Sequence, residues 1–411
     1  MPRVLMLHYT FPSVVGGVEM VLARHATALR DAGADVSVAA GRGRLTIAGV
    51  HAVRVPDLDS RHPAVERVFR SLAAGEVPDE LERLRVRIVS RLRPEIARSD
   101  RVVAHNVLTL HKNPGLALAL RDLAPTMPRG ALIVWIHDLA WTDPRYRRQR
   151  HRGEPWDVFA TPLPGARYVA VSEGRRDEAA ELLGLDRGSI EVVPNGIDFA
   201  AVLRLGPASR RLSHEPALRD AAVLLLPARL TRRKRVEVAI DAAAMLARRG
   251  RRVRLLVTGG PGPHNADNVR YLEELRARAL ASGGAAILLH DLAPRTLGHR
   301  AVMELLALSD ALVFPSEHEG FGIPLLEAAA LGVTPVVSDI PAHRALAADD
   351  ATYVPADADA STLADAIERA LASDTAARRR ARARAYEWSR ILAERVVPLV
   401  LGYGGASRRS A

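Results

Sequence analysis

The stretch Phe314-Pro315-Ser316-Glu317-His318-Glu319-Gly320-Phe321-Gly322-Ile323-Pro324-Leu325-Leu326-Glu327 concentrates the groups most able to do chemistry. It continues the apolar run Ala311 to Phe314, which reads as a buried strand, and Pro324 falls where the first turn of a helix tolerates a proline. The backbone N–H groups from Gly320 to Ile323 would then open onto a helix N-terminus, a ready site for phosphate. Glu319 and Glu327 flank that site. A carboxylate beside a phosphate is repulsive, so these two acids are suited to accepting hydrogen bonds from sugar hydroxyls. Arg229 and Lys234 follow the apolar run Ala222 to Leu226 and could clamp a diphosphate, the arginine as a fork and the lysine as a point charge. Gly16-Gly17 lies between the first apolar run and a helical pattern from Met20 to Ala32, where it lets a ligand approach the backbone. Taken singly, a basic loop is usually just solvated and a glycine pair is as often a tight turn. The glycines spell neither GxGxxG nor a Walker loop, which disfavours a dinucleotide or P-loop site.

These residues sit just after short apolar runs that alternate with helical patterns, the signature of βαβ units and parallel sheets. The strands expected in the first half are Val4 to Leu7, Val36 to Ala39, Val102 to Ala104, Leu132 to Ile136, Tyr168 to Val171 and Ile190 to Val193. After a polar stretch from Arg204 to Arg219 come Ala222 to Leu226, Val253 to Val257, Ala286 to Leu289, Ala311 to Phe314 and Thr334 to Val337. The economical organisation is an α/β chain of two doubly wound domains. It assigns 1–205 and 206–385 to the domains and 386–411 to a terminal helix, containing Trp388, that packs back over the junction. Open α/β sheets bind ligands beyond the carboxyl ends of their strands, which is where the residues above lie.

A chain of 411 residues is long enough for two cores, and its 48% apolar content is ordinary for a folded protein. The lack of cysteine excludes thiolate catalysis, disulfides and zinc–thiolate or iron–sulfur sites. The Val4 to His8 run is too short for a signal-peptide core and no run is long enough to span a membrane, so a cytoplasmic location is expected. The net charge of +11 is shared between the halves, and only Lys112 and Lys234 are lysines. That even spread of arginine reads as a composition bias, and no nucleic-acid partner is expected. The Arg83 to Arg101 segment is the densest basic stretch, either a solvated helix face or a peripheral contact with acidic lipid. Asp57-Leu58-Asp59 and Asp357-Ala358-Asp359 are read as loop acids.

Glu319 and Glu327 form a Glu-x7-Glu pattern, and with Gly16-Gly17-Val18-Glu19, Val193-Pro194-Asn195-Gly196-Ile197-Asp198, Arg229 and Lys234 the chain resembles glycosyltransferase family 4. The resemblance runs from residue 3 to about 395 and implies the GT-B fold, two Rossmann-like domains facing across a cleft. It implies a retaining hexosyl transfer from a UDP- or GDP-sugar to an acceptor hydroxyl. No metal or other cofactor is expected, since cationic side chains would stand in for the metal. In this resemblance Arg229, Lys234, Gly16, Gly17 and the Gly320-Phe321-Gly322-Ile323 loop hold the donor. Glu327 takes the ribose hydroxyls, Glu319 the transferred sugar near the reacting centre, and His137 the sugar and acceptor side. His105, Asn106 and Lys112 with Trp141 and Tyr146 are candidates for acceptor binding. Gly332-Val333-Thr334-Pro335 departs from the family pattern in a way that touches packing rather than chemistry. The alternatives are a nucleotide-sugar epimerase of the same fold, which lacks the two-glutamate arrangement, or a basic nucleic-acid- or membrane-binding protein.

Overall fold

A computed structural model describes residues 1–260, 267–292, 297–373 and 375–402. The chain forms two compact units, one of residues 1–196 with the segment from Trp388 onward and one of residues 197–387. The first unit holds a seven-stranded sheet of order β3-β2-β1-β4-β5-β6-β7. Its strands are β1 (Arg3–Leu7), β2 (Asp35–Ala40), β3 (His51–Arg54), β4 (Arg101–His105), β5 (Leu132–Ile136), β6 (Arg167–Ala170) and β7 (Ile190–Val192). The second holds a six-stranded sheet of order β10-β9-β8-β11-β12-β13. Its strands are β8 (Ala222–Leu226), β9 (Val253–Val257), β10 (Ala286–Leu288), β11 (Ala311–Phe314), β12 (Thr334–Ser338) and β13 (Thr352–Val354). Every pairing is parallel. Each expected strand is present within a residue or two. The order reverses between β1 and β4 and between β8 and β11, the crevices where doubly wound sheets bind ligands.

The inner strands are continuous apolar runs because helices cover both faces of a parallel sheet. Leu132–Ile136 is buried at every position, and Val223 to Leu226 likewise. The two strands that composition does not announce, β3 and β13, lie at sheet edges. His51–Arg54 has no fully buried residue and Thr352–Val354 has one, so their pairing partners rather than their own burial hold them in place.

The division falls at Gly196 and Ile197 instead of near residue 205. Residues 199–219 fold into short helices whose Phe199, Leu205 and Leu218 enter the second unit's core. The chain leaves that unit after Glu387, which pairs with Ile197, while Ile197 N–H donates to the Tyr386 carbonyl at 2.7 Å. From Trp388 to Leu401 it packs on the first unit. Trp388, Ile391, Val396, Leu399 and Val400 join the cluster of Val4, Met6, Leu22 and Trp135. A Cβ on Gly196 would lie 2.5 Å from the Trp388 ring, so that crossing needs a glycine.

Candidate functional site

In the second unit the loops after β8 and β11 are neighbours because those strands pair. The first runs Pro227 to Thr231, makes a short turn over Arg232–Lys234 and enters the helix Val236–Arg248 through Arg235 in the left-handed region (φ 51°). It lies directly on the loop after β9. A Cβ on Gly259 would lie 1.8 Å from the Ala228 carbonyl oxygen, and Leu230 N–H donates to the Gly260 carbonyl at 3.0 Å. Gly259 is therefore obligatory, a constraint visible only once the two loops are seen in contact.

Lys234 Nζ donates to Glu319 Oε1, and both side chains are about nine-tenths buried. The ammonium also lies 4.5 Å from the Phe314 ring centre. Arg233 Nη1 donates to the His318 carbonyl at 2.9 Å and stands 3.6 Å from Glu319 Oε2, and Glu317 N–H donates to the Arg233 carbonyl at 2.9 Å. Burial opposes ionisation of Glu319, but Lys234, with Ser316 and then Arg233, outweighs it and holds the carboxyl below its usual range. Burial also draws the Lys234 ammonium below its usual range, partly offset by Glu319. The result is an anchored carboxylate at the base of the glycine loop.

The loop itself presents donors. Among the described residues the N–H groups of Gly320, Phe321, Gly322 and Ile323 find no acceptor. Gly322 caps the helix Ile323–Ala330 with φ 104°, a conformation that favours glycine, and Phe321 and Ile323 are exposed beside it. Glu327 is partly buried on that helix, 3.6 Å from the imidazole of exposed His299. Arg229 is exposed and pairs with no carboxylate among the described residues. His343, which residue type alone did not bring forward, is buried behind Gly322; its Nδ1 donates to the Ser338 carbonyl at 2.8 Å.

In the first unit the ends of β1, β4 and β5 lie side by side and bring His8, His105 and His137 together. His8 Nδ1 donates to the His105 carbonyl at 3.0 Å, and His105 Nδ1 lies 3.2 Å from His137 Nε2. Asn106, left-handed at φ 63°, accepts from the His137 and Asp138 backbone N–H groups at 3.1 and 2.8 Å. It also donates to Asp138 Oδ2 at 3.0 Å, which pins the turn after β5. His25 reaches the same cluster from the helix Gly17–Asp31 and stands edge-on to Trp135 at 4.6 Å. Burial lowers His25 to about 3 and His137 to about 4, and pushes His105 well below the histidine range. All three rings are neutral at physiological pH.

The Gly16-Gly17 pair begins that helix, with Gly16 as its cap. The Glu19 carboxylate folds back over it, 2.0 Å from where a Gly16 Cβ would be. Thr10 Oγ1 donates to Glu19 at 2.5 Å and His8 Nε2 stands 3.6 Å away. Burial would raise the Glu19 pKa, but these partners overcome it and hold it at about 2. Gly16 thus makes room for a carboxylate of its own helix, whereas a Cβ on Gly17 would meet nothing within 4 Å.

Lys112 and Trp141 belong to a different cluster. Lys112 Nζ lies 5.4 and 4.7 Å from the Phe69 and Tyr146 ring centres, and His111 sits 4.8 Å from Trp141. Trp141 is held by its Nε1 donating to the Trp156 carbonyl at 3.0 Å. Sequence reasoning passed over His8 and His25, although His8 carries the one available signal, a polar residue directly after the first strand.

Comparison with known proteins places this geometry. Residues 211–388 match the model of glycosyl transferases group 1, and residues 15–201 match that of glycosyltransferase family 4. The chain is 31% identical to a glycogen synthase of Mycobacterium tuberculosis, covering 93% of this chain and 89% of that protein. It is 29% identical to a D-inositol 3-phosphate glycosyltransferase of Actinosynnema mirum, covering 79% and 75%. A mannosylglucosylglycerate synthase of Thermotoga maritima is 24% identical over 80% and 78%. The chain therefore belongs to glycosyltransferase family 4, and is a glycosyltransferase of the GT-B class that uses a nucleotide-sugar donor.

Proposed function

We propose that the protein transfers a hexosyl group, with retention and without a metal, from a UDP- or GDP-sugar to an acceptor hydroxyl. The observation that carries this reading is the Lys234–Glu319 pair beside four backbone N–H groups that find no acceptor among the described residues. Departure of a nucleoside diphosphate builds negative charge on phosphate, and preorganised donors and a fixed cation lower the barrier to it. Lys234 and the open N–H groups of Gly320 to Ile323 receive the diphosphate, with Arg229 free to swing onto it. Glu319, held ionised by Lys234, accepts from a hydroxyl of the transferred sugar and stabilises positive charge developing at the anomeric carbon. Glu327 accepts from the ribose hydroxyls. Gly16 and Gly17 let the donor approach the backbone at the start of their helix, where Gly16 also leaves room for the Glu19 carboxylate. On the first unit His137 meets the sugar, Lys112 and Trp141 shape the acceptor side, and the fully buried His105 and Asn106, proposed from the sequence for the acceptor, act on it only from behind His137. For its location we propose the cytoplasm, with peripheral contact at an acidic membrane face through exposed Arg83, Arg91 and Arg93. Among the described residues no helix is long and apolar enough to cross a membrane.

Calorimetric titration with UDP, GDP and ADP in chelator, repeated with Lys234→Met, tests the donor reading. One nucleotide should bind selectively, and the substitution should weaken it about 10- to 100-fold, the loss of one charged hydrogen-bonding partner. Equal binding by both proteins would remove Lys234 from the clamp, and a requirement for added divalent metal would overturn the metal-free reading.

A further inference from the structure

We propose that His105 is a positioning residue that fixes His137 as the tautomer protonated on Nδ1, so that His137 meets the substrate as a hydrogen-bond donor and not as a base. This rests on the proposed placement of His137 at the transferred sugar. The two rings share one hydrogen bond, between His105 Nδ1 and His137 Nε2 at 3.2 Å, and only one proton can occupy it. Which ring supplies that proton follows from the far side of His105.

His105 is fully buried and its Nε2 has no partner. Its ring stacks on Trp135 at 5.6 Å, and the Trp135 indole N–H is itself buried without an acceptor. If His137 donated, the neutral His105 would carry its proton on Nε2. Two buried N–H groups in one cluster would then lack acceptors, and orphaned buried donors are the least tolerated of unpaired groups. If His105 donates from Nδ1, its Nε2 is a bare lone pair and only the indole donor is left over. The second arrangement is the favoured one. The neutrality of both rings, imposed by burial, excludes the doubly protonated form.

The backbone supports the same arrangement. His8 donates to the main-chain carbonyl of His105 at 3.0 Å, and Asn106 accepts from the main-chain N–H of His137 at 3.1 Å, so the backbone from which each ring projects is pinned. With Nε2 of His137 occupied as an acceptor, Nδ1 carries the proton. Nδ1 has no partner among the described residues and is the nitrogen left for substrate. The hydrogen bond on one ring nitrogen thus dictates the function of the other.

Nitrogen-15 NMR of the histidine side chains in the full chain at pH 7.5 reads the tautomer without any substitution. The proposal requires a protonated Nδ1 and a bare Nε2 on His137; the reverse pattern overturns it. His105→Asn keeps an amide donor near the Nδ1 position, and His105→Leu keeps the volume without a donor. The Asn variant should retain the wild-type His137 tautomer and lose less kcat than the Leu variant. The Leu variant should shift the tautomer and lower kcat about 10- to 100-fold, with the KM for donor little changed. A shifted tautomer with unaltered kcat in the Leu variant would leave the tautomer assignment standing and overturn the placement of His137 at the sugar. Equal tautomers and equal kcat in the Leu variant and the wild type would overturn the role of His105.

Discussion

Lowering the pH should unfold the first unit through its buried histidines before its carboxylates matter. His25 and His137 titrate near 3 and 4 in the folded chain and His105 lower than its ordinary range, whereas all three titrate near ~6.5 once unfolded. Between those values the unfolded chain binds more protons, so stability is complete above pH ~6.5 and is lost as pH falls below it. Going from pH 7.5 to 5.5, each such histidine removes about 1.4 kcal/mol, and the three together about 4 kcal/mol, a large part of the ~5–15 kcal/mol that holds a typical domain. The assay is urea unfolding followed by tryptophan fluorescence. All four tryptophans, Trp135, Trp141, Trp156 and Trp388, lie in the first unit, so the signal reports that unit alone. Glu19, held at about 2, contributes stability that is lost only below pH ~4.5, outside this window. Replacing His25 by Phe, which keeps a ring against Trp135 and Trp388, should cut the loss between pH 7.5 and 5.5 by about a third whatever it does to stability at pH 7.5. A loss below about 1 kcal/mol in the wild-type chain, or an unaltered loss in His25→Phe, would refute the reasoning.

Gly259→Ala places a methyl group on the Ala228 carbonyl and should push the Arg229–Lys234 loop off its seat; weaker nucleotide binding with secondary structure retained by circular dichroism checks this. Glu327→Ala should weaken donor binding in calorimetry, whereas Glu319→Ala should mainly lower kcat; full turnover in either variant would remove that residue from the site. Trp388→Ala deletes a ring that is 5% exposed and should destabilise the first unit by about 3–5 kcal/mol, read as a lowered urea midpoint.

Residues that act through local chain geometry were legible in the sequence. The Gly320–Ile323 loop, the cap and proline of the helix that follows, and Lys234 all lie within a few residues of a strand end, where apolar runs in an open α/β sheet announce themselves. The neighbouring strands β8 and β11 then brought Lys234 and Glu319, 85 positions apart, into one ion pair. Arg229, equally visible as a cation after a strand, makes no such pair, because a long exposed side chain is placed by its ligand and not by the fold.

Contacts between distant segments were not legible, since nothing in a residue's own neighbourhood encodes them. His8, His25, His105 and His137 come from three strand ends and a helix; His105 and His137 were visible as residues after strands, but their contact with each other and with His8 and His25 appears only once sheet order is known. Gly259 reads as one loop glycine among many until the Ala228 carbonyl is seen to occupy the space of its missing side chain. The unit boundary escaped for the same reason. The polar stretch near residue 210 has the composition of a linker, yet its few apolar residues find a core, and Gly196 is where the chain crosses because Trp388 returns there from far along the sequence. Apolar periodicity and loop chemistry settle the sheets and the residues at their ends; tertiary packing settles which of those residues meet and where one unit stops, because both depend on pairs of surfaces and not on single segments.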